Sequence, residues 1–205
     1  MIYKLNVPLK EEDVRKLNVG DTVYFTGLLY TCRTLFQKQV CSEEIIPAFD
    51  FENINLMAHV GPVIKLTDKW QPVSFDPTSS IRFEKFGPQI ISKLKTRAII
   101  GKTTMGAQTL KTMQEFGCVH LTKVGIYGNV LAKKIKEVVT VYNLEEFGKT
   151  EATWIMEVND FGPFIVDMDT KGRNYFENLR GNTAKNLTEQ YQKLILDELF
   201  EYTEI

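Results

Sequence analysis

From Ile81 onward the chain alternates helix-like and strand-like segments, and that alternation constrains the fold more than any other feature. Apolar residues at Phe83, Phe86, Ile90, Ile91 and Leu94 recur at helical spacing, which predicts a helix over 83–94. The run Ala98-Ile99-Ile100 predicts a buried strand over 97–101. A helix is predicted at about 104–116, a strand over 118–123 and a helix over 130–136. Strands near 137–142, 152–158 and 163–169 follow. Strands separated by helices of this length require crossover connections, so the expected fold is α/β, with a mixed, partly parallel sheet flanked by helices.

The first eighty residues are more mixed. Glu11, Glu12 and Asp13 suit the first turn of a helix over 8–17. Thr22 to Thr31 is a β-branched and aromatic run that predicts a strand. A helix is predicted from Cys32-Arg33-Thr34 to about Ile46, ended by Pro47. Short strands are expected at 56–60, 62–66 and 70–75, with turns at Gly61-Pro62 and Thr67-Asp68-Lys69. From Asn182 the residues Leu187, Tyr191, Leu194, Ile195, Leu199 and Tyr202 share one face of an amphipathic helix, expected to dock on the domain or on a partner. The organisation read from this is one domain over 1–181 with a C-terminal helix over 182–205.

With 205 residues, 43% hydrophobic and 25% charged, the chain can bury a substantial core. A net charge of −1 gives no electrostatic case for nucleic acid or an anionic membrane. No apolar run approaches about eighteen residues and no signal peptide is visible, so a soluble, cytoplasmic protein is expected.

The chemistry concentrates at Val73-Ser-Phe-Asp-Pro-Thr-Ser-Ser-Ile-Arg82 and at Gly101-Lys102. Asp76-Pro77 predicts a turn. Thr78, Ser79 and Ser80 then offer three hydroxyls and three backbone N–H groups ahead of a predicted helix N-terminus, where anions are favoured. Arg82 adds a fork suited to a carboxylate. Gly101-Lys102 ends a predicted strand, where open α/β sheets usually place ligand groups. The same loop also reads as an ordinary Ser/Thr-capped helix with a solvated arginine. Gly125-x-x-Gly128 lacks the full dinucleotide spacing and reads as a close-packed turn.

Cys32, Cys41 and Cys118 are too scattered for a disulfide framework or a metal set, and no C-x-x-C occurs. His59 and His120 lie in apolar runs and read as strand residues with satisfied rings, not as ligands or bases.

Several separated segments together resemble the beta subunit of class I hydro-lyases, the L(+)-tartrate dehydratase and class I fumarate hydratase family. They are Val19–Gly27, Thr31-Cys32-Arg33, His59-Val60-Gly61-Pro62, Pro77–Arg82, Gly101-Lys102 and Phe161–Asp169, in the family's order over residues 1 to about 177. Tyr30–Arg33, Asp68-Lys69-Trp70 and Lys102–Gly106 are most similar to the tartrate dehydratase branch.

The resemblance implies a swivelling β/β/α domain that closes over a 4Fe–4S cluster held by a separate alpha subunit, with no cofactor or metal bound by this chain. It implies reversible removal of water from a 2-hydroxy dicarboxylate, tartrate- or malate-like. In that reaction a Lewis acid accepts hydroxide and fixed cations hold the charge that builds on the carboxylate. By the same resemblance Thr78 and Lys102 are the catalytic positions, and Arg33, Ser79 and Arg82 bind substrate. Ser79 stands where the family usually has a second threonine. A homodimer is a possible state of the isolated chain.

Four positions depart from the family pattern. Thr34 replaces an aspartate and Gln37 occupies the family's catalytic histidine position. Asp76 and Thr103 each replace a glycine. Glutamine cannot shuttle a proton at neutral pH. These departures keep a second reading open: a catalytically attenuated or non-catalytic dicarboxylate-binding or regulatory module that retains the fold.

Overall fold

The computed structural model describes residues 1–201, with side chains to 190 apart from those at 182 and 184. In chain order the elements are β1 (Ile2–Asn6), α1 (Glu11–Lys16), β2 (Thr22–Thr31), α2 (Thr34–Ser42), β3 (Leu56–Ala58), β4 (Val63–Leu66) and β5 (Trp70–Ser74). There follow a 3₁₀ turn (Ser80–Phe83), α3 (Gly87–Leu94), β6 (Ala98–Gly101), α4 (Ala107–Phe116), β7 (Val119–Lys123) and α5 (Gly128–Ala132). The chain continues through β8 (Ile135–Tyr142), α6 (Leu144–Glu151), β9 (Thr153–Met168) and α7 (Tyr175–Glu201). The α/β class and the mixed sheet flanked by helices are as expected.

The main sheet runs β1-β2-β3-β6-β7-β9-β8, and β2 also pairs with β9. The pairs β1–β2, β2–β3, β3–β6 and β6–β7 are parallel, whereas β9 is antiparallel to β2, β7 and β8. The strands β2, β3, β6, β7 and β9 therefore close into a ring. Period-two alternation sorts their side chains. Leu56, Ala58, Ala98, Ile100, Val119 and Leu121 face a core inside the β layers with Trp154, Met156, Phe161 and Phe164. Met57 and Ile99, one residue out of phase, face a second core formed with Phe36 and Val40 of α2, Ile90, Ile91 and Leu94 of α3, and Met113 of α4. The two cores make this a β/β/α layering, and β4 and β5 form a separate hairpin.

Several boundaries differ from the sequence expectation, each for a local reason. The predicted helix 8–17 is confined to Glu11–Lys16, because Lys10 is extended. The helix expected to reach Ile46 ends at Ser42, followed by left-handed Glu44. The helix predicted over 83–94 is a 3₁₀ turn and then α3, with Pro88 in its first turn, where a missing N–H costs nothing.

The strands expected at 152–158 and 163–169 are one strand, β9. Asp160 at φ +47° and Gly162 at φ +154° bend it without breaking it. Strand β1 and helix α6 were not anticipated. The C-terminal helix begins at Tyr175, so residue 182 falls inside it. Leu187 is half exposed, while the side chains of Tyr191, Leu194, Ile195 and Leu199, and Tyr202 altogether, lie outside the described residues.

Candidate active site

The C-terminal ends of four adjacent parallel strands, β2, β3, β6 and β7, deliver Arg33, His59, Lys102 and Lys123 respectively to one edge of the sheet. Ligand groups gather at this edge in α/β sheets because the loops there are free to vary while the strands fix their roots. The segment from Phe75 to Arg82 lies across it. The Phe75 N–H donates to the Gly128 carbonyl at 3.0 Å and the Thr78 N–H to the His59 carbonyl at 2.7 Å. Ser79 forms a parallel bridge with Lys102, and the Ser80 N–H donates to the Lys102 carbonyl at 3.0 Å. The hydroxyl loop is thus an extra strand-like rung on β6.

This arrangement brings Thr78, Ser79 and Arg82 of the loop beside Lys102 at the end of β6. Thr78 and Ser79 are half-buried, and Arg82 and Lys102 are exposed. An Arg82 Nη1 lies 3.5 Å from Thr78 Oγ1, at the outer limit of a hydrogen bond. The guanidinium sits 5.9 Å from the centre of the Phe83 ring, which limits where its fork can point. The expected helix N-terminus behind the hydroxyls is a four-residue 3₁₀ turn, and Ser79 makes no side-chain cap there. A helix dipole therefore contributes little, and the side-chain cations carry the attraction for an anion.

Arg33 stands one loop away. Its Nε lies 3.3 Å from Glu151 Oε1, an ion-pair contact, and is buried without a hydrogen-bond partner. A Cβ built on Gly61 would come within 2.8 Å of Arg33 Nη1, so a glycine there lets the guanidinium lie against the His59–Pro62 turn. Glu151 also caps α2 by accepting from the Leu35 N–H at 3.0 Å.

The positions that depart from the family pattern have distinct fates. Gln37 is fully buried in α2, with neither side-chain polar atom hydrogen-bonded. It belongs to the packed interior and not to the ligand edge. The Asp76 carboxylate is not left facing the site, because it bonds the Lys123 ammonium and accepts from Ser74 Oγ at 2.8 Å. The Lys123 contact, opposed by partial burial, holds the Asp76 pKa below the usual carboxylate range. Thr103 keeps a left-handed backbone, φ +63°, a geometry that glycine adopts freely and a β-branched residue does not.

Sequence reasoning missed a second group directly beneath this loop. Ser80 Oγ lies 2.8 Å from His120 Nε2 and 3.0 Å from His59 Nδ1, and His120 Nδ1 lies 2.7 Å from Asp167 Oδ1. All four side chains are buried, at 0–1% exposure. Burial, and then the neighbouring His120, push the His59 pKa well below its ordinary value, so His59 is neutral. The His120 ring has a partner on each nitrogen, as a satisfied strand histidine should, whereas His59 Nε2 has none. A Cβ on Gly101 would fall 1.8 Å from Ser80 Oγ and 2.6 Å from His120 Nε2, so the group fits only against a glycine.

Among the described residues no three His, Cys, Asp or Glu side chains are arranged to hold a metal ion. The thiols of Cys32 and Cys118 are buried, and burial raises both pKa values, which disfavours the thiolate a metal or cluster requires. No described helix is long and apolar enough to cross a membrane.

Comparison with known proteins shows the family. The family model described as Fumarase C-terminus matches residues 2–179. The chain is 38% identical over 194 residues to a Methanocaldococcus jannaschii protein named "Putative L(+)-tartrate dehydratase subunit beta", covering 92% of this chain and 98% of that one. It is 33% identical over 171 residues to the L(+)-tartrate dehydratase subunit beta of Escherichia coli K12, covering 83% and 84%. A Geobacillus stearothermophilus protein named "Putative fumarate hydratase class I" is 33% identical over 190 residues. That match covers 92% of this chain and 36% of the longer relative.

Proposed function

Because the chain belongs to the Fumarase C-terminus family, we propose that it is the beta subunit of a heteromeric hydro-lyase that reversibly removes water from a 2-hydroxy dicarboxylate. The observation that carries the reading is the loop–strand rung in which Ser79 bridges Lys102 while Arg82 faces Thr78 Oγ1. It sets two exposed cations and two hydroxyls on a single rigid support. A carboxylate meeting Arg82 and Lys102 is bound as a charge-assisted pair. Proton loss from the adjacent carbon places further negative charge on that carboxylate, and the same cations stabilise it more strongly in the transition state than in the ground state.

The Thr78 hydroxyl stands in the cationic field of Arg82 and serves as the proton-transfer group, paired with an acid from the other subunit. Ser79 donates to substrate oxygen, and Arg33 takes the distal carboxylate once Glu151 is displaced. Among the described residues no side chains form a cluster-binding set, and the reading puts a 4Fe–4S cluster on an alpha subunit. The swivelling of this domain over that cluster, and a cytoplasmic setting for the complex, belong to the same proposal. Its three free thiols suit a reducing compartment. Isolated from alpha, the chain forms a homodimer through the faces alpha would cover.

The experiment is dehydration of tartrate and malate by the chain assembled with its alpha partner. Arg82→Ala should lower kcat/KM about a hundredfold, roughly 3 kcal/mol of transition-state stabilisation. A loss below about threefold would remove Arg82 from the site.

Two observations favour a second reading, a dicarboxylate-binding module without turnover. Gln37 is sealed in the interior, and Glu151 occupies the Arg33 guanidinium. Dicarboxylate binding without turnover by any alpha subunit would decide for the module.

A further inference from the structure

The buried group Asp167–His120–Ser80–His59 takes no part in the binding scheme above, although it joins three parts of the chain directly under the loop. Its hydrogen-bond directions follow from donor chemistry. A carboxylate only accepts, so His120 Nδ1–H donates to Asp167 Oδ1 across 2.7 Å. In the tautomer that carries its proton on Nδ1, Nε2 presents a lone pair that accepts the Ser80 hydroxyl proton across 2.8 Å. Ser80 Oγ is left to accept from His59 Nδ1–H at 3.0 Å. In that arrangement every donor in the series points towards Asp167.

Ser80 is 0% exposed, so its hydroxyl cannot touch a ligand. Its neighbours can, and the same residues that hold its side chain hold their backbone. His59 grips the loop twice, by its carbonyl to the Thr78 N–H and by its ring to Ser80 Oγ. The Ser80 N–H is bonded to the carbonyl of Lys102. Gly101, without a Cβ, allows Ser80 and His120 to meet in the space beside β6.

We infer that Asp167, His120 and His59 are positioning residues that act through Ser80 to set where Thr78, Ser79 and Lys102 stand relative to one another. The arrangement shares the order Asp–His–Ser with hydrolytic triads, yet here the hydroxyl is a buried anchor and not a nucleophile. Its part in catalysis rests on the hydro-lyase reading, whereas its part in placing the loop does not.

The test uses the full chain in two arms. In the first, long-range ¹H–¹⁵N imidazole spectra of the isolated protein report which ring nitrogen carries the proton. Wild-type His120 should be protonated at Nδ1 and accepting at Nε2. Asp167→Asn, which preserves shape, should shift His120 towards the Nε2–H tautomer and move the amide signals of Thr78, Ser79 and Lys102. Ser80→Ala should move the same amides and the ring signals of both histidines.

In the second arm the chain is assembled with alpha and assayed for dehydration. Asp167→Asn should lower kcat by about tenfold or more with KM changed by less than about threefold, as expected of a misplaced rather than a missing contact. A stabilising role alone would lower the melting temperature and leave kcat and the tautomer as they were. Wild-type His120 protonated at Nε2, or loop amides unmoved in both variants, would overturn the inference. Absence of turnover by the wild-type assembly would sink the hydro-lyase reading and leave the spectroscopic arm to decide the network.

Discussion

The ammonium of Lys123, at the end of β7, is bonded to the carboxylate of Asp76, at the start of the hydroxyl loop, and a negative charge beside the anion site is thereby matched. Lys102 also acts on Asp76 through space. Removing Lys123 should turn the Asp76 charge towards Lys102 and weaken dicarboxylate binding. For Lys123→Ala the expected effect is a rise in Kd of about threefold to tenfold, and Asp76→Asn in the same chain should restore most of it. Isothermal titration of the single and double variants reads this directly. An unchanged Kd in the single variant would show that the pair does not bear on the site.

Glu151 and Arg33 make a partly solvated pair, and the same carboxylate competes with any ligand for the guanidinium. Glu151→Gln should therefore separate stability from affinity. The apo protein should lose about 1–2 kcal/mol as a partly buried arginine is left without its counter-ion. The dicarboxylate should bind about threefold tighter and raise the melting temperature further than it does in the parent. Weaker binding by the variant would mean that Arg33 does not reach the ligand.

Thr103 adopts φ +63° immediately after Lys102. A left-handed residue bearing a Cβ costs about 1–2 kcal/mol. Part of the relief on substitution by glycine is offset by about 0.5–1 kcal/mol of additional freedom in the unfolded chain. Thr103→Gly should thus stabilise the fold by about 0.5–1 kcal/mol, seen as a higher urea midpoint with an unchanged slope. A lower midpoint would show that the bond from the Thr103 hydroxyl to the Lys102 carbonyl outweighs the backbone strain.

Asp169 ties the end of β9 to the turn before β2. It accepts from the N–H groups of Val19 at 3.0 Å, Lys171 at 2.9 Å and Arg173 at 3.2 Å, and from Arg173 Nε at 2.7 Å. Burial raises its pKa, but the Arg173 guanidinium and the three N–H groups together outweigh burial and hold it below the ordinary value. A depressed folded pKa stabilises the protein above the unfolded carboxylate pKa of about 3.9, and that contribution fades as pH falls through the folded value. Acid unfolding should accordingly steepen below about pH 4. Asp169→Asn should flatten that limb and cost about 2 kcal/mol at neutral pH, the loss of charge-assisted bonds. An acid limb identical in the variant would assign the transition to other carboxylates.

The site and the fold were legible to different degrees, for physical reasons. Thr78, Ser79, Arg82 and Lys102 stand out because hydroxyls, a turn-forming proline and two cations crowd a short stretch next to an apolar strand. The class of fold follows from the run Ala98–Ile100, whose burial on both faces makes it continuously apolar, and from the alternation of such strands with helices. Two strands, 152–158 and 163–169, are expected from the sequence where the fold has one, because a Gly-Pro pair and two small polar residues stand where they meet. In the fold, pairing to β2 on one side and to β8 and then β7 on the other carries β9 through the bend. Nothing in the sequence joins His59, Ser80, His120 and Asp167, whose bonded pairs are separated by 21 to 47 positions and which meet only because β3, β6, β7 and β9 are successive neighbours. An isolated histidine in an apolar run carries no periodic signal, and its partner is set by topology.

The closed circuit of β2, β3, β6, β7 and β9 has a bearing on substrate choice. Arg33 and Lys102 are rooted on staves of one barrel, so neither can drift from the other without tearing a ladder of backbone bonds. On the proposed dicarboxylate reading, the spacing of these two roots bears on the length of diacid that the pair can bridge.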